Sequence, residues 1–399
     1  MELENRYGAH NYHPLPVVLD RGEGVFVWDV DGKQYFDFLS AYSAVNQGHC
    51  HPKIIQALTE QAKKLTLTSR AFYNSSLGEY EKFITEYFGY HKVLPMNTGA
   101  EGVETALKLC RKWGYQKKGI PANEAKIIVC EGNFHGRTIS IISASTDPDS
   151  KNDFGPYTPG FIVIPYNDVT ALENALKDKN VAGFLVEPVQ GERGVVIPDE
   201  DYLVKCYNRC KMANVLFIAD EIQTGLGRTG KRLCCDHEKV HPDILILGKA
   251  LSGGTMPVAA ILANDEIMLC IKPGEHGSTY GGNSLACKVA IASINAMEEE
   301  GMYENSNRLG KILLSELKKI QAEKPDIVLT VRGKGLFAAI VIKEREGKSA
   351  WELCLALKEN GLLAKPTHGD IIRLAPPLII TEKQLMECVS ILRKTILAF

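Results

Sequence analysis

The sequence predicts an α/β fold with a large, mainly parallel sheet covered by helices, accompanied by a smaller α+β unit. The first observation is that short apolar segments alternate with helical stretches between residues 125 and 265. The second is that these segments are apolar at nearly every position, which is typical of strands buried on both faces. The third is the mixture of strand-like and helical patterns after residue 290. The apolar segments are KIIVC, FIVIP, AGFLVEP, VLFIAD, DILILG and VAAILA.

The N-terminal segment predicts an antiparallel ribbon. Residues 24–38, GVFVWDVDGKQYFDF, alternate in polarity and break at Asp31-Gly32, a dipeptide that tolerates the positive φ angles of a tight hairpin. Such a ribbon is too small to bury its own apolar face. We therefore expect it to pack with the C-terminal unit or with a partner subunit.

The remaining patterns divide the chain into three parts. Residues 1–50 form the N-terminal segment, residues 51–290 the large α/β domain and residues 291–399 the small α+β domain. A helix over about 283–299 leads out of the large domain, and a final helix begins at Thr381.

Composition excludes several classes of function. The chain has 399 residues, is 45% hydrophobic and has a formal net charge of -2, so its overall charge gives no attraction to nucleic acid. No apolar run approaches the length of a membrane span. The 11 cysteines are scattered without convergent histidines, which predicts inert thiols and no metal site. The first residues lack an apolar or arginine-rich leader, so we expect a cytoplasmic protein. The mitochondrial matrix stays open if a transit peptide has been removed.

Two charged residues end neighbouring apolar segments. Asp220 closes VLFIAD, and Lys249 follows DILILG. The carboxyl ends of parallel strands are where open α/β sheets bind ligands. Asp220 alone could equally be a helix N-cap or a solvated strand end. A lysine at such a position is rarely structural, and burial lowers its pKa, which suits Schiff-base chemistry.

Two turns rich in small residues could hold a phosphate. Gly99 and Ala100 begin a helix, where backbone N–H groups and the helix dipole favour an anion. Thr279 lies in the turn GSTYGGN. Phe134 lies between a strand and a helix, where its ring could stack on a flat heterocycle. Each of these features, taken singly, is also compatible with an ordinary loop or core position.

Together, the motifs NTGAEGVETALK, NFHGRT, EPVQGE, ADEIQTGLGRTG and LGKALSGG resemble the class III aminotransferases, which depend on pyridoxal 5'-phosphate. The resemblance covers nearly the whole chain. It implies fold type I with a seven-stranded sheet, and a homodimer whose active sites lie at the subunit interface.

The resemblance also implies which residues hold the cofactor. Lys249 would bind it covalently and shuttle a proton, and Asp220 would contact the pyridine nitrogen. Phe134 would stack on the ring, and Gln223 would contact its phenolic oxygen. The backbones of Gly99 and Ala100 would hold the phosphate, together with Thr279 from the other subunit. Ala100 is smaller than the valine-like residue expected there, but a backbone donor survives that change.

Within the family, the long segments resemble members that transfer the δ-amino group of ornithine to 2-oxoglutarate, giving glutamate 5-semialdehyde, which cyclises to pyrroline-5-carboxylate. Arg137 would bind the ornithine carboxylate and Tyr12 its α-amino group. Arg373 would bind the distal carboxylate of 2-oxoglutarate, masked until then by Glu192. By analogy, the residues that line the same pocket are Tyr42 and Glu187. His135 departs from relatives that carry tryptophan, which could alter the pocket wall.

Three alternatives stay open at this point. The chain could act on N-acetylornithine or 4-aminobutyrate within the same fold. An intramolecular aminomutase acting on glutamate semialdehyde would need no keto-acid acceptor. The third is a protein that binds pyridoxal phosphate without turnover, although Lys249, Asp220 and both arginines are intact. Outside the family motifs, Arg137, Glu192 and Arg373 would be interpreted as ordinary ion pairs.

Overall fold

The computed structural model describes residues 1–345 and 347–399, and their strands form three sheets. Residue 346, inside the predicted unit 291–399, lies outside the described residues. The strands are β1 Leu19–Glu23, β2 Phe26–Asp29, β3 Gln34–Asp37, β4 Lys92–Met96, β5 Lys126–Cys130, β6 Phe161–Ile164, β7 Val181–Val186, β8 Leu216–Asp220, β9 Ile244–Leu247, β10 Ala259–Ala263, β11 Val328–Lys334, β12 Phe337–Ile342, β13 Leu362–Leu363, β14 Lys365–Thr367 and β15 Ile371–Leu374.

The central sheet has seven strands in the order β4-β10-β9-β8-β7-β5-β6. The five strands from β5 to β9 pair in parallel, and β10 is antiparallel to both of its neighbours. Consequently β4 runs in the same direction as β9. The mainly parallel sheet is confirmed, and all six of the predicted apolar segments are strands of it.

The strands at the centre of this sheet are buried on both faces. Every residue of β7, β8, β9 and β10 is buried. Burying a Val, Leu or Ile side chain stabilises the fold by about 1.5–3 kcal/mol, so this unbroken apolar pattern favours a covered sheet over an exposed one. Large aliphatic and β-branched side chains at successive positions also suit extended backbone better than helix.

Helices cover both faces of the sheet and connect it to the smaller sheets. The α-helices are Glu2–Tyr7, Pro52–Ala62, Leu77–Phe88, Gly99–Trp113, Ile139–Ser143, Pro148–Lys151, Val169–Ala175, Tyr202–Met212, Asp265–Met268, Ser284–Glu299, Met302–Glu323, Ala350–Glu359 and Glu382–Ala398. A π-helical turn spans Gly114–Lys118, and 3₁₀ turns span Cys235–His237 and Lys249–Ser252. Among the described residues, no helix combines the length and apolar character needed to cross a membrane.

The N-terminal ribbon contains β2 and β3, joined through Gly32 at φ +82°. Its sheet has the order β1-β2-β3-β13, so a strand from the C-terminal part of the chain completes it. The third sheet is antiparallel, in the order β11-β12-β15-β14. The division into parts at residues 50 and 290 stays a prediction.

After β3, four consecutive non-glycine residues have left-handed backbone angles. The φ values of Ser40, Ala41, Tyr42 and Ser43 lie between 47° and 72°. A left-handed residue with a side chain costs roughly 1–2 kcal/mol, so the surroundings must hold this turn in place. The Ser40 hydroxyl donates to the Ala375 carbonyl, and its amide donates to the Asp37 carboxylate. The turn therefore fixes Tyr42 against the strand that ends at Leu374.

Candidate active site

Six strands of the central sheet have their carboxyl ends at one edge, and five of them lead into the candidate site. β4, β5, β7, β8 and β9 all run in one direction, so the residues that follow them meet there. A cavity of about 150 Å³ lies at this edge. Its lining includes seven of the sequence-predicted residues: Gly99, Ala100, Phe134, Glu187, Asp220, Gln223 and Lys249.

Lys249 is separated from the end of β9 by Gly248 alone, and its backbone is left-handed, with φ 44°. Among the described residues, its amine has no hydrogen-bond or salt-bridge partner. Burial lowers the pKa of Lys249, although the charges of Glu192, Asp220 and Glu187 act in the opposite direction. A lowered pKa increases the neutral fraction of the amine, which is the form that attacks a carbonyl.

Asp220 ends β8 and is 5% exposed. Its Oδ2 atom lies 2.7 Å from His135 Nδ1, and its Oδ1 atom accepts a hydrogen bond from the Ile222 amide. Burial alone would lower the pKa of His135, but the hydrogen bond and charge of Asp220 raise it above its usual value. His135 Nε2 is buried and has no hydrogen-bond partner among the described residues. A donor thus fixes the orientation of the Asp220 carboxylate.

Glu187 follows β7 and accepts a hydrogen bond from the Phe134 amide at 2.8 Å. This bond ties the segment after β5 to the segment after β7. Burial raises the pKa of Glu187 to about 7, and the charge of His135 opposes that rise. Glu187 is therefore a second buried carboxyl group at the edge of the cavity, and it positions the aromatic ring of Phe134.

The helix Gly99–Trp113 begins at the cavity with a capping box. Thr98 accepts from the Glu101 amide at 3.2 Å, and the Glu101 carboxylate accepts from the amides of Asn97 and Thr98. The amides of Gly99 and Ala100 have no acceptor among the described residues. A Cβ atom at Gly99 would lie 3.0 Å from Ile222 Cδ1, so glycine allows the helix to approach the next loop. Two free amides at a helix N-terminus suit an anion.

Arg373 lies on β15 beside the turn that carries Tyr42. Its Nη1 atom donates to Glu192 Oε1 at 2.6 Å, and its guanidinium carbon lies 4.9 Å from the Tyr42 ring centroid. Burial alone would raise the pKa of Glu192, but Arg373 and Lys249 hold it below its usual value. Arg373 Nε is buried without a partner among the described residues. The arginine is thus neutralised by Glu192 but keeps a donor free.

The other predicted residues lie at different distances from the cavity. Gln223 lines it and donates to the Tyr42 carbonyl at 3.3 Å. Arg137 is exposed, with its guanidinium carbon 5.6 Å from the Phe134 ring centroid. Tyr12 is 70% exposed, and Lys365 Nζ lies 5.8 Å from its ring centroid. Thr279 lines a separate cavity with Arg70 and does not line the cavity around Lys249.

The donor set fits pyridoxal phosphate. Lys249 offers an amine without a partner to an aldehyde, and Asp220 offers a carboxylate to a pyridine nitrogen. Gly99 and Ala100 offer two amides to a phosphate, and Phe134 offers a ring to the heterocycle. These groups converge on one cavity although they come from four separate segments of the chain.

Comparison with known proteins decides the family. Residues 7–396 match the model of the family described as Aminotransferase class-III. This chain belongs to the class III aminotransferases. A relative from Drosophila ananassae, "Ornithine aminotransferase, mitochondrial", is 65% identical over 395 residues, which cover 99% of this chain and 90% of the relative.

Two solved structures of class III aminotransferases extend the comparison. An ornithine aminotransferase from Toxoplasma gondii superposes with a TM-score of 0.98 at 47% identity, covering 100% of this chain and 93% of the other. It is described as having partial occupancy of PLP at the active site. An acetylornithine aminotransferase from Elizabethkingia anophelis has a TM-score of 0.91 at 62% identity, covering 100% and 98%. Pyridoxal phosphate is the cofactor of the family, and the donor set described above fits it.

The contact of His135 with Asp220 was not predicted from the sequence. We interpreted His135 as a change in the pocket wall, whereas its ring contacts Asp220 across 85 positions of the chain. The available signal was a histidine directly after Phe134, in a segment predicted to reach the same sheet edge as Asp220.

Proposed function

We propose that this class III aminotransferase transfers the δ-amino group of L-ornithine to 2-oxoglutarate. The products are glutamate and glutamate 5-semialdehyde, which cyclises to pyrroline-5-carboxylate. The observation that carries the proposal is the Arg373–Glu192 pair beside Lys249. A neutralised arginine does not attract the carboxylate of a short amino acid during the first half-reaction, yet it becomes available to a dicarboxylate in the second.

The opposite end of ornithine would be held outside the cavity. Arg137 and Tyr12 are both exposed, and Arg137 lies against the Phe134 ring. An exposed guanidinium can bind the α-carboxylate, and the Tyr12 hydroxyl can accept from the α-ammonium. With the α end anchored there, the δ-amine is the group that extends toward Lys249. Tyr42 would separate the substrate chain from Arg373.

When bound, pyridoxal phosphate supplies an aldehyde that captures the amine and a ring that draws electrons from the reacting carbon. Lys249 would take the proton from that carbon and return it to the cofactor side, because its lowered pKa provides a neutral amine. Asp220, oriented by His135, would hold a proton at the ring nitrogen. Glu187 keeps Phe134 in place through the backbone bond at 2.8 Å.

The proposal includes a homodimer. Thr279 is exposed and lies away from the cavity around Lys249, in a cavity of about 490 Å³ lined also by Arg70 and Ser69. This position suits a hydroxyl that reaches the cofactor phosphate of a second subunit. Size-exclusion chromatography with light scattering tests the dimer. Thr279→Ala, which should weaken cofactor binding without dissociating the dimer, tests the hydroxyl.

A second candidate substrate is N-acetylornithine, favoured by the 62% identity to the Elizabethkingia anophelis protein, which is described as an acetylornithine aminotransferase. A panel of amino donors with 2-oxoglutarate decides between them: ornithine, N-acetylornithine, lysine and 4-aminobutyrate. We expect the highest kcat/KM with ornithine, measured for every donor as glutamate formed from 2-oxoglutarate. A higher kcat/KM with N-acetylornithine would refute the proposal, and turnover of glutamate semialdehyde without 2-oxoglutarate would indicate an aminomutase.

The proposed compartment is the mitochondrial matrix. The Drosophila ananassae relative is described as mitochondrial, which favours the mitochondrial matrix over the cytoplasm for this chain. Fractionation of cells that express the natural gene, with antibody detection in the matrix fraction, tests this assignment.

A further inference from the structure

A second, larger cavity adjoins the one around Lys249. Its volume is about 560 Å³, and its lining includes Phe134, which also lines the Lys249 cavity, together with Glu192, the partner of Arg373. The lining further includes two arginines, Arg193 and Arg332. None of the roles proposed above uses either arginine.

Arg193 occupies a space that a glycine leaves open. It follows Glu192 in the chain and lies over Gly132, where an added Cβ atom would be 2.3 Å from Arg193 Cδ. Gly132 has φ +68°, a conformation that favours glycine. Among the described residues, its guanidinium has one long hydrogen bond, which Arg193 Nη1 donates to the Glu131 carbonyl at 3.5 Å.

Arg332 lies on β11, in a different part of the chain, and also packs against a glycine. Its Nε atom donates to the Gly194 carbonyl at 2.6 Å, and an added Cβ atom at Gly194 would be 3.1 Å from Arg332 Nη2. This single bond to the backbone fixes the guanidinium while its terminal N–H groups stay available. The loop 192–194 therefore joins the two arginines.

Neither guanidinium has a carboxylate partner within 4.0 Å among the residues that the structure describes. Burial lowers the pKa of Arg332; the charge of Asp370 opposes this and that of Arg193 adds to it. The lining holds three acids: Glu192 pairs with Arg373, Asp147 accepts bonds from Asp149 and Ser150, and Glu131 is exposed to solvent. Two guanidinium groups that face one cavity, with no carboxylate within salt-bridge distance of either, can each take a carboxylate from a ligand.

We infer that this second cavity is a binding site for a small dicarboxylate, which Arg193 and Arg332 hold at the entrance to the Lys249 cavity. Two guanidinium groups from separate segments match two carboxylates better than one, because each planar fork binds one carboxylate. The 2-oxoglutarate that the proposed function requires is one such ligand, and that identification rests on the proposed function. The site itself does not, since any dicarboxylate of similar length would fit the same chemistry.

The test uses glutarate, which has two carboxylates but no keto or amino group and so does not react. Calorimetric titration of the holoenzyme should reveal a glutarate site in this second cavity, whether or not Arg373, which pairs with Glu192, binds a glutarate of its own. In Arg193→Ala the affinity of this second site should fall by about tenfold, the loss expected for one charge-assisted partner. Arg332→Lys keeps the charge but not the fork and should also weaken it. Arg209→Ala, an exposed arginine paired with Glu173, is the matched control.

The absence of glutarate binding in the wild type, or equal binding in the wild type and Arg193→Ala, overturns the inference. Kinetics identify the natural ligand. If the natural ligand is the amino-group acceptor 2-oxoglutarate, Arg193→Ala should raise the KM for 2-oxoglutarate by about threefold. The KM for ornithine should change less, because ornithine does not bind this cavity. A weakened glutarate site with an unchanged KM for 2-oxoglutarate assigns the site to a dicarboxylate that is not turned over. Failure of the donor panel leaves the glutarate result intact.

Discussion

Removal of the Glu192 carboxylate tests the substrate assignment most directly. Glu192→Ala leaves Arg373, whose side chain is 5% exposed, without its partner at 2.6 Å. Breaking a buried ion pair costs about 3–5 kcal/mol, and because the Glu192 side chain is 23% exposed, we expect a value near the lower end. Urea unfolding measures this loss.

The same change should alter substrate preference. The carboxylate of 4-aminobutyrate is separated from its reacting carbon by as many bonds as the distal carboxylate of glutamate, so both can reach Arg373. One new charge-assisted hydrogen bond is equivalent to roughly tenfold in kcat/KM for 4-aminobutyrate relative to ornithine. Glu192→Gln, which retains an acceptor oxygen but no charge, is the matched control and should give a smaller gain. An unchanged ratio in Glu192→Ala would refute the masking of Arg373.

Three further outcomes are expected. Lys249→Ala should abolish turnover and the visible absorption band of the holoenzyme, since no other amine lines the cavity among the described residues; a persisting protein-bound band contradicts the assignment. Tyr12→Phe should lower kcat/KM for ornithine by about tenfold but leave 4-aminobutyrate nearly unaffected, because only ornithine has an α-ammonium to bind; equal losses remove Tyr12 from substrate recognition. The pKa of Glu187 is raised to about 7, so its contribution to stability is present at low pH and lost as the pH rises through about 7. Between about pH 5 and pH 8, the free energy of unfolding measured in urea should therefore fall by up to about 3 kcal/mol more for the wild type than for Glu187→Gln. Parallel pH dependences of the two proteins would exclude this titration.

The sheet could be predicted because its strands are apolar at every position, but strand direction could not. β10, from the segment 258–263, is as completely buried as the parallel strands β7, β8 and β9, although it is antiparallel to β9. Burial on two faces selects residue type, and the hydrogen-bond direction leaves no comparable signal. The left-handed turn at Ser40–Ser43 was also missed, because it contains no glycine and is held by contacts with Asp37 and Ala375.

The residues of the candidate site likewise include some that could be predicted from the sequence and some that could not. Asp220 and Lys249 were predictable because each lies at the end of an apolar strand segment, and Gly99 was predictable because it begins a helix. The pairing of His135 with Asp220 joins residues 85 positions apart, and sequence spacing does not encode that distance. The guanidinium cluster of Arg193 and Arg332 was missed for the same reason.

The meeting of five strand ends at the candidate site has a consequence for assembly. The residues that line the Lys249 cavity come from segments between Gly99 and Lys249, and each takes its place only when its strand has joined the sheet. A folding intermediate in which β4 has not joined the sheet lacks the amides of Gly99 and Ala100 at this edge. One in which β9 has not joined lacks Lys249. Recovery of cofactor absorbance during refolding would therefore report completion of the sheet, and an assembly defect far from the cavity would appear first as lost cofactor.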